Sequence, residues 1–244
     1  SLESLKQLKM FDSQYRELIS EQSAIASGEA HLLQSIEDVR SKWDETEFEV
    51  KGLRDSKEQM ILDDVSEIVQ QLEEHQLTVQ SCLASRYVGG IRPHVEDWDR
   101  KLNLLAQVID EWVYVQGAWM YLEFIFSSDD IKKQLPTETA LFKQTDTDFK
   151  ALITKATTIK NCILVGTEAG VLETLNESHR ALDEIQKRLE DYLETKRAAF
   201  PRFYFLSNDE LLSILSDVRN PRAVRPHLRK CFDSIKDLIF KNES

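Results

Sequence analysis

The chain has 244 residues with 31 Lys/Arg against 43 Asp/Glu, a net charge of −12, which disfavours general nucleic-acid binding, where phosphates need a basic face, and docking on an anionic membrane. Seven glycines, five prolines and 30% charged residues favour long helices over a many-turned sheet. The length suits one large or two modest domains with room for a core, and no apolar run approaches the roughly 18 residues of a membrane span.

From Ser1 to Arg86 there is no proline, and Gly28 and Gly52 are the only glycines. Leu5, Leu8, Tyr15 and Leu18 form a sparse apolar stripe, followed by Leu32, Ile36, Val39 and Trp43. Val65, Ile68, Leu72, His75, Val79 and Cys82 step by three and four, a helix seam in which His75 reads as a partly buried structural residue. Tyr87-Val88-Gly89-Gly90-Ile91-Arg92-Pro93 breaks the helical pattern. Paired glycines accept positive φ and a proline disfavours helix just before it, so a sub-domain boundary and a point of flexing are expected at Gly89 and Gly90.

The next helix is the most strongly patterned. Trp98, Leu102, Leu105, Ile109, Trp112, Gln116, Trp119, Glu123 and Phe126 step 4-3-4-3, and three of the four tryptophans share this stripe. The aromatics are expected in the core, with Gln116 and Glu123 either meeting partners across the interface or marking where the stripe rotates off it. Ser127 to Asp130 and Pro136 punctuate its end, and a helix follows through Phe142, Phe149, Leu152, Ile153 and Ile159. After a turn at Gly166 to Gly170, Leu175, Leu182 and Leu189 repeat at seven, offset by Ile185 and Tyr192. Asp183 with Lys187, and Glu184 with Arg188, are placed to pair at i, i+4. This helix is expected to reach Arg197 or Ala198.

There the chain makes a corner. Phe200-Pro201-Arg202-Phe203-Tyr204-Phe205-Leu206 packs four aromatics and a proline into six residues, and Ser207 with Glu210 has the spacing of a capping box opening a new helix. A brief strand is conceivable only at Phe203 to Leu206. Asn220-Pro221 and Arg225-Pro226 bracket a basic loop in which Arg219, Arg222, Arg225, Arg229 and Lys230 meet no acid between Val218 and Phe232. A last amphipathic helix is expected to use Leu228, Phe232, Ile235, Leu238 and Ile239. The pattern predicts an all-α fold, an elongated array of long helices packed as successive small bundles, with at most a minor β element near residues 203–206.

Catalytic constellations do not emerge. Gly166 to Gly170 lacks the lysine of a phosphate-binding loop, and neither H-E-x-x-H nor Cys-x-x-Cys nor a Gly-x-Ser-x-Gly elbow occurs. Cys82, Cys162 and Cys231 are far apart, in no metal-like spacing, and read as reduced thiols of an intracellular protein. The reading is a non-catalytic piece of a longer chain, with no cofactor of its own.

Phe200 to Leu212, followed by Ile214-Leu215, resembles the signature of the linker region of dynein heavy chains. Trp119-Met120-Tyr121-Leu122-Glu123-Phe124-Ile125-Phe126, Asp130-Ile131 and Gln134-Leu135-Pro136 are similar to that family's tryptophan helix and the turn after it. Ile185-Gln186-Lys187, Leu189-Glu190, Tyr192-Leu193-Glu194 and Lys196-Arg197 resemble its helix leading into the corner, and Pro226-His227-Leu228 with Lys230-Cys231-Phe232 the stretch beyond. The resemblance runs from about Trp98 to Phe240 and fades toward generic helix before Tyr87. It departs at Phe124, where many members carry proline, and its tone is axonemal rather than cytoplasmic.

The resemblance implies a helical tail- or neck-proximal segment over 1–87 and the N-terminal part of the linker over 94–244. It also implies a mechanical role: a lever that shifts over the AAA+ ring as ATP turns over, driving movement toward the microtubule minus end. Implied partners are the ring and the remaining linker of the same heavy chain, and the microtubule only indirectly. ATP and Mg would belong to the parent motor, and the location would be the cytoskeleton of a cilium or flagellum. The positions expected to make contacts are Trp119, Glu123, Phe200, Pro201, Arg202, Phe203, Tyr204, Phe205, Asn208, Arg222 and Arg225, with flexing expected at breaks such as Gly89-Gly90 or Gly166 to Gly170. The competing reading is a passive, spectrin-like helical scaffold that tethers protein partners.

Overall fold

The structure is a computed structural model that describes residues 15–55, 59–216, 221–235 and 238. Leu5, Leu8, Arg219, Asn220 and Ile239 lie outside the described residues. The described chain is helical nearly throughout: α1 (Arg16–Glu45), α2 (Ser66–Ala84), α3 (Arg92–Ile125), α4 (Asp129–Gln134), α5 (Pro136–Ile159), α6 (Cys162–Gly166), α7 (Val171–Ala199), α8 (Asn208–Leu215) and α9 (Leu228–Cys231). The all-α class is therefore as expected. Its minor β element is a hairpin of β1 (Val50–Gly52) and β2 (Met60–Leu62), and not at residues 203–206. Pro201–Phe205 is instead a 3-10 turn, because Pro201 presets a helical φ at its start and the Leu206 amide closes back onto the Phe203 carbonyl.

Two compact units are present. The first comprises Ser1–Ile109 and Lys155–Val171. In it α1 buries Ile36, Val39 and Trp43, and α2 buries Leu72, Val79 and Cys82, the two stripes expected. His75 meets the edge of Trp43 at 5.9 Å, and burial lowers its pKa below the ordinary histidine value. In the hairpin, Val50 pairs with Leu62 and Gly52 with Met60, and Lys51 reaches Asp63 at 2.6 Å. The segment leading into β1 is stitched to a distant loop. The Phe48 amide donates to the Lys160 carbonyl at 2.8 Å, and the Cys162 amide to the Thr46 carbonyl at 3.0 Å. Asn161 caps α6 by accepting from the Leu164 amide at 3.0 Å, while its side-chain amide donates to the Trp43 carbonyl at 2.8 Å. Burial pushes the Cys162 thiol up to about 12, so it behaves as a small apolar group.

The second unit comprises Asp110–Thr154 and Leu172–Ser244. Its core is built on Trp112, Trp119 and Leu122 of α3, Phe149 of α5 and Leu175, Leu182, Ile185 and Leu189 of α7, all buried. Each large side chain of this kind contributes roughly 1.5–3 kcal/mol on leaving water. Trp119 stacks on Phe149 at 4.5 Å, and Phe126 on Phe142 at 5.3 Å. Glu184 pairs with Arg188 at 2.7 Å as its spacing predicts. Asp183 turns away from Lys187 and accepts from the Tyr114 hydroxyl at 2.5 Å, with His179 at 3.5 Å. The preference is physical: Tyr114 and His179 are stacked at 3.9 Å, a fixed partner for the carboxylate, whereas Lys187 is a flexible chain in water. The last helix is also shorter than its apolar pattern suggests. It ends at Cys231, with Phe232 extended and its ring under the Arg202 guanidinium at 4.5 Å.

Candidate interaction site

The corner is assembled by two arginines. Helix α7 runs to Ala199, one residue beyond the expected end, and Phe200 leaves it in an extended conformation. Ser207 then starts α8 with the capping box read from the sequence. Its hydroxyl accepts from the Glu210 amide at 3.3 Å, and the Glu210 carboxylate accepts from the Ser207 amide at 3.0 Å. Across the turn, Arg197 donates to the Leu206 carbonyl at 3.2 Å and to Asn208 Oδ1 at 2.7 Å. Arg202 donates to the Cys231 carbonyl at 2.8 Å and lies over the Phe232 ring. Phe200 meets Phe203 edge-on at 4.8 Å and Phe232 at 6.5 Å. Only Leu206 of the aromatic run is fully buried.

Electrostatics add a second clasp. Lys230 lies 2.6 Å from Glu210, and His227 lies 3.5 Å from the same oxygen. The Lys230 contact first, then the Ser207 amide, hold the Glu210 carboxyl down to about 2. What this framework presents outward is aromatic: Phe205 is 67% exposed and Tyr204 56%, with Phe200 also open. The Tyr204 hydroxyl donates to Glu194, which raises its pKa above the ordinary phenol value.

The expected contact residues fall in three settings. Phe200, Pro201, Arg202, Phe203, Tyr204, Phe205 and Asn208 share the corner, and Arg222 and Arg225 are exposed in the 3-10 segment Pro221–His227. Trp119 is fully buried and donates through Nε1 to Asp146 at 3.1 Å, so it is core rather than surface, while Glu123 is half-buried. Gly89 and Gly90 lie in an exposed turn, but neither takes positive φ; among the described glycines only Gly170 does, at 90°. The Gly90 amide donates to Glu29 of α1 at 3.2 Å, and the neighbouring Tyr87 ring sits where a side chain on Gly28 would be. Sequence reading did not single out Arg197 or Glu194 as site residues, and named Lys230 only as part of the basic loop. Their single signal was local, a basic pair at a helix end and a basic run, and their bonds are made over 9 to 20 positions.

Among the described residues, no group of three or more His, Cys, Asp or Glu side chains is placed to hold a metal ion, and no helix is long and apolar enough to cross a membrane. The site offers apolar contact and positive charge.

Comparison with known proteins identifies the family. The family described as "Dynein heavy chain, N-terminal region 2" matches residues 1–244. The match takes in the first 87 residues as well, where the sequence pattern alone faded to generic helix. Human dynein axonemal heavy chain 6 is 45% identical over 240 residues, 98% of this chain and 6% of its own length. Mouse dynein axonemal heavy chain 2 is 43% identical over 236 residues, 97% of this chain and 5% of its own, and mouse dynein axonemal heavy chain 1 is 38% identical over 236 residues, 97% of this chain and 6% of its own. The chain thus spans about a twentieth of the length of these relatives. It belongs to the dynein heavy chain family and corresponds to that family's N-terminal region 2.

Proposed function

We propose that this region is a mechanical linker element of a dynein motor. It shifts over the AAA+ ring of the same heavy chain as ATP turns over there, and so drives minus-end-directed movement along microtubules. The observation that carries this reading is the corner. Arg197 and Arg202 tie the end of α7, the 3-10 turn, α8 and the end of α9 into one cross-braced piece with exposed aromatics on its outside. A lever needs stiffness at such a bend, whereas a passive tether does not. The family match across all 244 residues supports the same reading.

In this account the nucleotide and its magnesium are held by the ring, the contacts of this region are with the ring and the remaining linker, and the microtubule is reached only indirectly. The axonemal relatives favour a ciliary or flagellar location. Residues 1–87 would form the part nearest the tail and 94–244 the linker proper. Flexing is assigned to the breaks between helices at Gly89-Gly90 and Gly166 to Gly170, although Gly166 itself is buried in the last turn of α6. Bending at the first must break the Gly90–Glu29 hydrogen bond.

The test uses an intact heavy chain with one fluorophore near Ser1 and one on the ring. Transfer efficiency should differ between ADP and a trapped ATP-like state. In the same protein, F203A/Y204A should leave ATP turnover in place and slow gliding. Unchanged transfer with the ATPase intact would favour the passive scaffold.

A further inference from the structure

The first half of α1 carries a wider apolar face than the described residues of its unit cover. Buried Ile36, Val39 and Trp43 define the side of the helix that faces the core. Continuing that line backwards at 100° per residue leads through Leu32 and Ile25 to Leu18, which is 57% exposed. A second line lies about 90° round the helix: Tyr15, Ile19, Ala26 and Leu33. Tyr15 and Ile19 are exposed, and Leu33 is 45% exposed. Toward the C-terminus this second line turns charged, with Glu37 and Arg40 pairing at 3.3 Å and Arg40 with Asp44 at 3.5 Å.

One helix therefore carries two kinds of face. Where the unit packs against α1, the apolar arc is narrow and flanked by ion pairs. Over residues 15–33 it widens to about 140°, the width that suits a bundle position rather than a solvated surface. Toward the end of this stretch α1 is met by Tyr87 at Gly28 and by the Gly90 amide at Glu29. An isolated helix of a dozen residues is only marginally stable in water.

The edges of the wide face name the chemistry of what covers it. Glu17 and Glu21 lie along one edge, one turn apart, while the other edge carries Ser23, Ala30 and Arg16. We infer that the Leu18-Ile19-Leu33 face docks an amphipathic helix whose apolar stripe is bordered, on the side facing Glu17 and Glu21, by Lys or Arg, as complementary flanking charges select partners in helical bundles. A second copy of this chain is the poorer occupant, since antiparallel pairing sets the Glu17–Glu21 edge against itself.

The experiment uses the 244-residue chain and two synthetic 18-residue helical peptides with the same leucine stripe, one flanked by lysine and one by glutamate, read by fluorescence anisotropy. The lysine peptide should bind at least tenfold tighter than the glutamate peptide. L18S/I19S/L33S should weaken it at least tenfold with the thermal midpoint unchanged, and E17K/E21K should reverse the preference. Lysine-peptide binding untouched by L18S/I19S/L33S would mean only attraction to an acidic protein and would overturn the inference. So would no binding by the unaltered chain, or a concentration-dependent dimer abolished by the same triple substitution.

Discussion

Arg197 in the last turn of α7 and Asn208 at the start of α8 are joined by a 2.7 Å hydrogen bond, and the same guanidinium nitrogen reaches the Leu206 carbonyl at 3.2 Å. The Arg197 side chain is 13% exposed, so both bonds are made largely out of water. The stretch from Arg197 to Asn208, eleven positions apart with the aromatic turn between them, thus closes into a ring around one cation.

Removing that cation should loosen the corner without disturbing the helices on either side. R197A is expected to lower unfolding stability by about 1–3 kcal/mol, the cost of leaving polar partners unmet. R197K should recover only part, since an ammonium lacks the planar fork that spans both acceptors. Urea midpoints at neutral pH would check this, and an R197A midpoint equal to that of the unaltered chain would remove Arg197 from the account.

Glu210 makes the corner acid-sensitive. Its folded pKa is depressed to about 2 from an ordinary 4.5 by Lys230 and the Ser207 amide. Between those values the unfolded chain binds the proton and the folded chain does not, so the stabilisation is fully present above pH 4.5 and is lost as pH falls toward 2. E210Q retains a capping side chain but has no proton to bind, so its midpoint should fall less steeply over that window. Parallel acid titrations of both proteins would contradict the Lys230 clasp.

His75 acts in a separate window. Burial depresses its pKa below 6.5, so the unfolded state takes up its proton first and stability declines as pH falls below 6.5. H75L keeps the α2 seam apolar and should flatten the pH 7 to 5 part of the profile while leaving the Glu210 window intact. If the two profiles superimpose from pH 7 to 5, His75 is not the group that titrates.

Gly28 predicts a sign reversal. In an exposed helix, Gly to Ala stabilises by about 0.5–1 kcal/mol. Here a Cβ would lie 2.4 Å from the Tyr87 ring, which must move. G28A alone should therefore lower the thermal midpoint, and G28A on a Y87S background should raise it. A stabilising G28A single variant would show that Tyr87 yields freely.

Local chemistry was legible from the residues alone. The 4-3-4-3 stripe from Trp98 to Phe126 emerged as a buried face, and Ser207 with Glu210 as a capping box, because helix periodicity and capping depend on neighbours within one or two turns. The corner itself was equally visible through Pro201 and its aromatics.

Tertiary structure decided what those local signals could not. Phe203 to Leu206 has strand-like composition, yet the turn closes as 3-10 between a proline and a cap. The hairpin found among the described residues has three-residue strands too short for a periodic signal, in a segment anchored through Phe48 to Lys160, 112 positions away. Gly28 needs to be small because of Tyr87, Asp183 forsakes Lys187 for a stacked Tyr114 and His179, and the arginines of the corner choose carbonyls that no spacing rule names. Periodicity and caps are properties of a few adjacent residues; these other choices compare alternatives of similar free energy, and only the packed chain, by removing water and fixing which groups meet, makes one of them win.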